Sequence, residues 1–209
     1  TIVIYPVPGF FLNARQFYGS IGVDEFYDPA ELGVSKGWNW RVPDSLFYAA
    51  LRKKLDAMPK DQPVAALLLT INQHGPHDRI DAIGDYMNRY AQSDLAYEAF
   101  LEYLTARGRK AGVVTFGDHL PEFATQVFED DDRRELTDYE IRCINFTCKN
   151  AAGHDSTEQL DVTLLGPVAL EYFGFEIDGL SRYGRNLFAQ CASDVSRCAE
   201  EVRLRFNRA

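Results

Sequence analysis

The feature that most limits the fold of this chain is an alternation of two β-prone runs around one long helical pattern. The first run, Val64 to Thr70, is seven residues without a charge; the second is Lys110 to Phe116. Between them a helical pattern runs from about Tyr86 to Arg107, with Leu95, Phe100, Leu101 and Leu104 on its core side, and Gly108 is placed to end it. An uncharged strand is expected to be covered on both faces, as in a parallel sheet. Two strands joined through a helix are expected to lie parallel, with their carboxyl ends on one edge of the sheet. That edge is where open α/β folds hold their ligands.

Both carboxyl ends carry chemistry. The first run leads into Ile71-Asn72-Gln73-His74-Gly75-Pro76-His77-Asp78, and the second into Gly117-Asp118-His119. Gly117 permits a tight turn. Asp118 then offers a hard oxygen and His119 a borderline nitrogen, a pair suited to Mn, Zn or Fe rather than Ca. Alone, an Asp-His pair after a strand also reads as an ordinary polar loop. Convergence with His74 on one sheet edge is what favours a site. His77 reads as an exposed turn residue before it reads as a second phosphate ligand.

The flanking segments supply scaffold. Thr1 to Tyr5 is a buried strand stopped by Pro6-Val7-Pro8-Gly9, followed by a short helix at 13–20 and a surface loop to Asp28. Trp38 and Trp40 stand in a loop, where they wall a pocket or, by the plainer reading, wedge loop against core. Pro43-Asp44 opens a helix to about Met58 with an apolar stripe of Leu46, Phe47, Ala50, Leu51 and Leu55. Further on, 121–140 is acidic and irregular, 142–147 reads as a strand, and His154 sits in a polar loop as a structural or solvent-facing residue. Leu160 to Phe173 reads as a helix packed through Leu164, Leu165, Val168, Leu170 and Tyr172, with Gly166-Pro167 as a break or second start and Gly174 as its end. Asp161 is explained as a cap of that helix.

Composition bounds the rest. A chain of 209 residues suits one α/β domain, taken here as 1–209, and a formal charge of −9 offers no basic stripe for nucleic acid. No apolar stretch reaches the ~20 residues of a membrane span. The chain opens directly into a strand without a methionine, so it is expected to be a piece of something longer. The four cysteines fit no zinc spacing and leave open two disulfides or four thiols. Cys143 and Cys148 can close a small loop if the chain turns back, whereas Cys191 and Cys198, if their segment is helical, would lie two turns apart, a geometry that disfavours a bond.

In order and spacing these landmarks resemble the sulfatase-like branch of the alkaline phosphatase superfamily, most closely the extracellular domain of lipoteichoic acid synthases and related phosphoglycerol transferases. The resemblance rests on Phe11-Leu12-Asn13 leading to Asp24-Glu25-Phe26-Tyr27-Asp28, on Trp40-Arg41-Val42-Pro43-Asp44, and on Thr70-Ile71-Asn72-Gln73-His74-Gly75-Pro76. Gly117-Asp118-His119, Leu160-Asp161-Val162-Thr163 and Gly184-Arg185-Asn186-Leu187-Phe188 complete it.

The resemblance implies an α/β fold with a mostly parallel sheet flanked by helices, truncated at its amino-terminal end. It implies a phosphotransferase using a divalent metal, Mn or Zn ahead of Mg or Ca, with Asp118 and His119 as metal ligands and His74 beside the substrate phosphate. The attacking hydroxyl and an acidic ligand belong upstream of the strand matching Thr1–Tyr5, so the chain alone is expected to be inactive. Its expected substrate is a phosphate- or sulfate-bearing small molecule or lipid head group, met on the periplasmic or extracellular face of a membrane to which a segment outside these residues attaches the protein. Two positions depart from the family: a Trp and an Arg that contact glycerol phosphate fall on Leu12 and Ala14. Arg15, one place along, is the expected substitute, with Trp40 as a further substrate contact. Those departures leave room for a hydrolase of the same superfamily, a sulfatase or phosphodiesterase, or for a non-catalytic anion-binding remnant.

Overall fold

β1 (Ile2–Ile4) is the middle strand of a parallel sheet, between β2 (Glu25–Tyr27) and β3 (Ala66–Leu68). Ile2 pairs with Glu25 on one side and with Ala66 on the other. The computed structural model describes residues 1–34, 40–121, 123, 137–149 and 162–176. Within the chain two units form: Thr1–Arg107 with Asp118–Thr137, and Gly108–Gly117 with Asp138–Ala209.

In the first unit β1 is the buried strand, its three residues each 2% exposed or less. A 3-10 turn (Phe11–Asn13) leads into α1 (Ala14–Ser20), as the sequence predicts. Leu12 and Asn13 both take left-handed backbone, at φ +49° and +56°. The expected surface loop up to Asp28 instead contains β2. Three residues are too few to show an alternation, and β2 owes its form to pairing with β1.

α2 (Asp44–Ala57) and α3 (Ala82–Ala106) pack through Phe47, Leu51 and Leu55 on one helix and Phe100 and Leu104 on the other, all buried. Tyr48 lies 5.1 Å from Phe100, ring to ring. The α2 stripe is as predicted except that Leu46 is exposed. α3 starts earlier than expected because Asp81 caps it, accepting a hydrogen bond from Gly84 N at 2.8 Å. Leu95, expected in the core, is 66% exposed. Gly108, at φ +71°, ends the helix in the left-handed region as predicted.

β3 corrects a second expectation. It is an edge strand of three residues with Ala66 and Leu67 exposed, not a long strand covered on both faces. Its uncharged sequence reflects composition rather than burial in the described structure.

In the second unit β4 (Ala111–Phe116) pairs antiparallel with β5 (Tyr139–Ile144). Among the described residues the expected parallel pairing of β3 and β4 is not among the strand pairs. β4 takes its hydrogen bonds from β5, which begins three residues before the expected strand. Cys143 and Cys148 form a disulfide, closing one of the alternatives left open by the sequence. Inside that loop Asn145 has φ +61° and donates through Nδ2 to Arg109 O at 2.8 Å.

α4 (Val162–Tyr172) runs unbroken through Pro167, burying Leu165, Val168 and Ala169; Leu170, expected inside, is exposed. A Cβ on Gly112 would meet the Phe173 ring at 2.5 Å, so glycine is what lets that ring lie against β4. Gly174, at φ +90°, follows as the predicted stop. Trp38, His154, Asp161, Cys191, Cys198 and the 184–188 motif lie outside the described residues.

Candidate functional site

The site grows from three loops of the first unit: the one before α2, the one after β3, and Asp118–His119 in the turn that follows β4 in sequence. His74 is its centre. Its backbone N–H closes a turn onto Ile71 O at 3.0 Å, and Gly75–Pro76 is a cis peptide. Its Nδ1 lies 2.9 Å from Gly75 O. A carbonyl can only accept, so Nδ1 carries the proton and Nε2 is left for a ligand.

Trp40 stacks on the His74 ring at 4.3 Å and 22°, and Phe11 meets Trp40 edge-on at 5.6 Å. His119 stands edge-on to His74, with ring centroids 6.4 Å apart. The structure thus brings together Trp40, His74 and His119, which are separated by 34 and 45 positions in sequence.

His119 repeats the tautomer logic. Its Nδ1 lies 2.8 Å from Leu120 O, and its backbone N–H donates to Asp118 Oδ1 at 2.9 Å. Nε2 of His119 and Oδ2 of Asp118 are 3.6 Å apart on well-exposed side chains. Two donors at that separation suit one cation with bonds of about 2.1 Å to each. Among the described residues no third His, Cys, Asp or Glu joins them. The donor set fits a first-row divalent ion as two ligands of a shell.

Arg15 has other partners. Its Nη2 holds Glu31 at 2.6 Å and Asp28 at 3.3 Å, and its guanidinium lies 4.7 Å over the Phe26 ring. Asp28 is itself drawn below the usual carboxylate range. Burial opposes this, but the N–H groups of Gly9, Glu31 and Ala30 and the Arg15 charge outweigh it. Arg41 reaches the His74 loop from the surface, donating to Pro76 O at 3.1 Å.

Two residues to which the sequence assigns no site role build the loop. Asp44, 2% exposed at the start of α2, accepts from the backbone N–H groups of Ile71 and Asn72, both at 3.0 Å, and from Ser93 Oγ at 2.6 Å. Arg89, 6% exposed on α3, reaches the loop from the other side. A signal for it existed: Arg89 and Ser93 share the helical stripe of Phe100 and Leu104, so a cation sits where an apolar residue is expected.

His77 corrects the reading of an exposed turn residue. Its side chain is 8% exposed, against the rings of Tyr86 at 5.7 Å and Phe123 at 5.4 Å. Nδ1 is 3.7 Å from Asp85 Oδ2, beyond hydrogen-bond reach. Burial and the Arg89 charge lower its pKa, against the pull of Asp85.

The fold is shared with two solved proteins. One is the phosphoglycerol transferase GacH of Streptococcus pyogenes in complex with sn-glycerol-1-phosphate, matched at a TM-score of 0.66 and 19% identity over 92% of this chain and 53% of that one. Another is the lipoteichoic acid synthase LtaP of Listeria monocytogenes, at 0.55 and 20% identity over 67% of this chain and 42% of that one.

By sequence the chain is similar to the lipoteichoic acid synthase-like YvgJ of Bacillus subtilis, 29% identical over 126 residues, 52% of this chain and 20% of YvgJ. It is also 25% identical to an uncharacterized protein of Haemophilus influenzae, over 79% of this chain and 35% of that one. No family profile matches. The resemblance to lipoteichoic acid synthases and phosphoglycerol transferases is thus borne out. The chain spans about a fifth to a third of the curated relatives and about half or less of the solved ones.

Proposed function

We propose that these residues are the carboxyl-terminal portion of one sulfatase-like catalytic domain, a metal-dependent transferase of phosphoglycerol-type groups to cell-envelope lipid or glycan. The observation that carries this is the pairing of His74 with His119, two imidazoles from different loops with both Nδ1 atoms tied to backbone carbonyls. His74 contacts the substrate phosphate through Nε2, and Trp40 fixes the plane of its ring. Asp118 and His119 hold a divalent ion, Mn or Zn, whose charge would offset that of the phosphoryl oxygens. The attacking hydroxyl belongs upstream of Thr1, and membrane association runs through a segment outside these 209 residues.

An extracytoplasmic location agrees with the Cys143–Cys148 disulfide, because such bonds persist in oxidising compartments. Among the described residues no helix is long and apolar enough to cross a membrane. Hydrolysis is the second reading, favoured by one observation: Arg15, the expected substitute for the glycerol-phosphate arginine, is held by Glu31 and Asp28.

The test is the longer parent protein, purified and measured for bound metal. It is then assayed with Mn or Zn on glycerophospholipid, phosphodiester, phosphomonoester and sulfate-ester substrates. Transfer to an alcohol supports the first reading, and release to water the second. No turnover of any of them, with no metal bound, overturns both.

A further inference from the structure

Arg89 is a buried guanidinium whose bonds all go inward. Nε donates to Asp85 Oδ1 at 3.1 Å, and Nη2 to Asp85 Oδ2 at 2.6 Å and Pro76 O at 3.3 Å. Nη1 donates to His74 O at 3.1 Å and Asn72 O at 3.4 Å. A guanidinium has five N–H groups, and these five bonds use every one. The carbonyls belong to alternate residues of one short loop, with His74 in the middle. The loop answers in kind, since Asn72 Nδ2 donates to the carbonyl of Arg89 at 3.2 Å.

We propose that Arg89 is a positioning residue for His74: wrapped by the 72–76 carbonyls and anchored by Asp85, it sets the imidazole for contact with a phosphoryl group. The inference rests on the transferase or hydrolase reading of the His74 site. With its donors consumed, Arg89 does not bind the substrate anion itself. It fixes the peptide plane of His74, while Gly75 O fixes the ring through Nδ1. The two restraints together leave the ring little freedom beyond its stack on Trp40. Lysine cannot do the same, because an ammonium has three donors and no planar fork. Asp85 completes the device, its carboxyl held below the usual range by its bonds to Arg89.

The test uses the longer parent protein and two variants, Arg89→Lys and Asp85→Asn. The second keeps the guanidinium and weakens only its anchor, so it carries the test if the first fails to fold. Two readouts separate positioning from simple support. With substrate in hand, Arg89→Lys lowers kcat by about tenfold to a hundredfold, as loss of a supporting contact does elsewhere, with bound metal unchanged. Without any substrate, imidazole nitrogen NMR shows the His74 ring as the Nδ1–H form in the parent and as a mixture of tautomers in the variants. Unchanged His74 nitrogen shifts in a folded variant overturn the proposal, whatever the activity. An inactive parent protein whose His74 signal still responds to Arg89→Lys overturns the enzymatic reading and leaves the positioning role standing.

Discussion

The two histidine loops of the site are built in opposite ways. The loop carrying His74 is held from α2 by Asp44, from α3 by Arg89, and from its own turn by Ile71 O. The described bonds of Asp118 and His119 run only to each other and to Leu120, and their side chains are 84% and 64% exposed. The contrast matches the roles proposed for them. A group that must meet a phosphate at a set angle gains from being fixed before the substrate arrives. Two ligands of a cation need less support, because binding the ion itself orders them.

Four substitution experiments separate the two loops. The largest effect is expected at the open loop. Asp118→Ala or His119→Ala in the parent protein should remove bound metal and lower activity by on the order of a thousandfold, while the thermal midpoint without metal stays the same. Elemental analysis and a melting curve check both; unchanged metal content sinks the ligand assignment.

At the braced loop the effect should instead fall on stability. Asp44→Ala leaves two backbone N–H groups and a serine hydroxyl without their acceptor and should cost about 3 kcal/mol in a denaturant titration. A loss well under 1 kcal/mol would mean that the loop is not braced from α2.

Third, Trp40→Ala removes the stack on His74. It should raise KM by about tenfold at most, in keeping with the strength of such ring contacts. A fall in metal content instead would shift Trp40 to the other loop's account.

The smallest effect is in pH. His77 is held neutral by burial, with its pKa lowered in the folded state. As pH falls below about 6.5, the ordinary value, the unfolded chain takes up a proton that the folded one refuses. Stability is therefore lost on acidification through that window and unaffected above it. His77→Phe should flatten the acid side of a plot of Tm against pH. An unchanged slope would show that other groups set it.

Much of this frame was legible in the residues. Gly108 and Gly174 mark helix ends because left-handed backbone suits glycine, and that signal is local. The stripe of Phe47, Leu51 and Leu55 is equally local, since one face of a helix is read from spacing alone. Pairing is not local. β2 exists because β1 lies beside it, and β4 pairs antiparallel with β5, which no run of seven residues can announce.

The site divides in the same way. His74, Trp40 and His119 were found from residue type and from an ordered set of motifs, and the structure brings their rings together. Asp44 reads as a helix start and His77 as a turn residue, while Arg89, although it shares the stripe of Phe100 and Leu104, carries a charge that reads as surface. Their burial depends on what the rest of the chain packs over them.

Leu12 is 79% exposed on backbone at φ +49°, beside Phe11, whose ring meets Trp40. Left-handed backbone costs an ordinary residue roughly 1–2 kcal/mol, so the bend persists despite its side chain, not because of it. The main chain thus dictates where the twelfth side chain stands and leaves its chemistry open. A position built like that can exchange one side chain for another while the turn beneath it stays as it was.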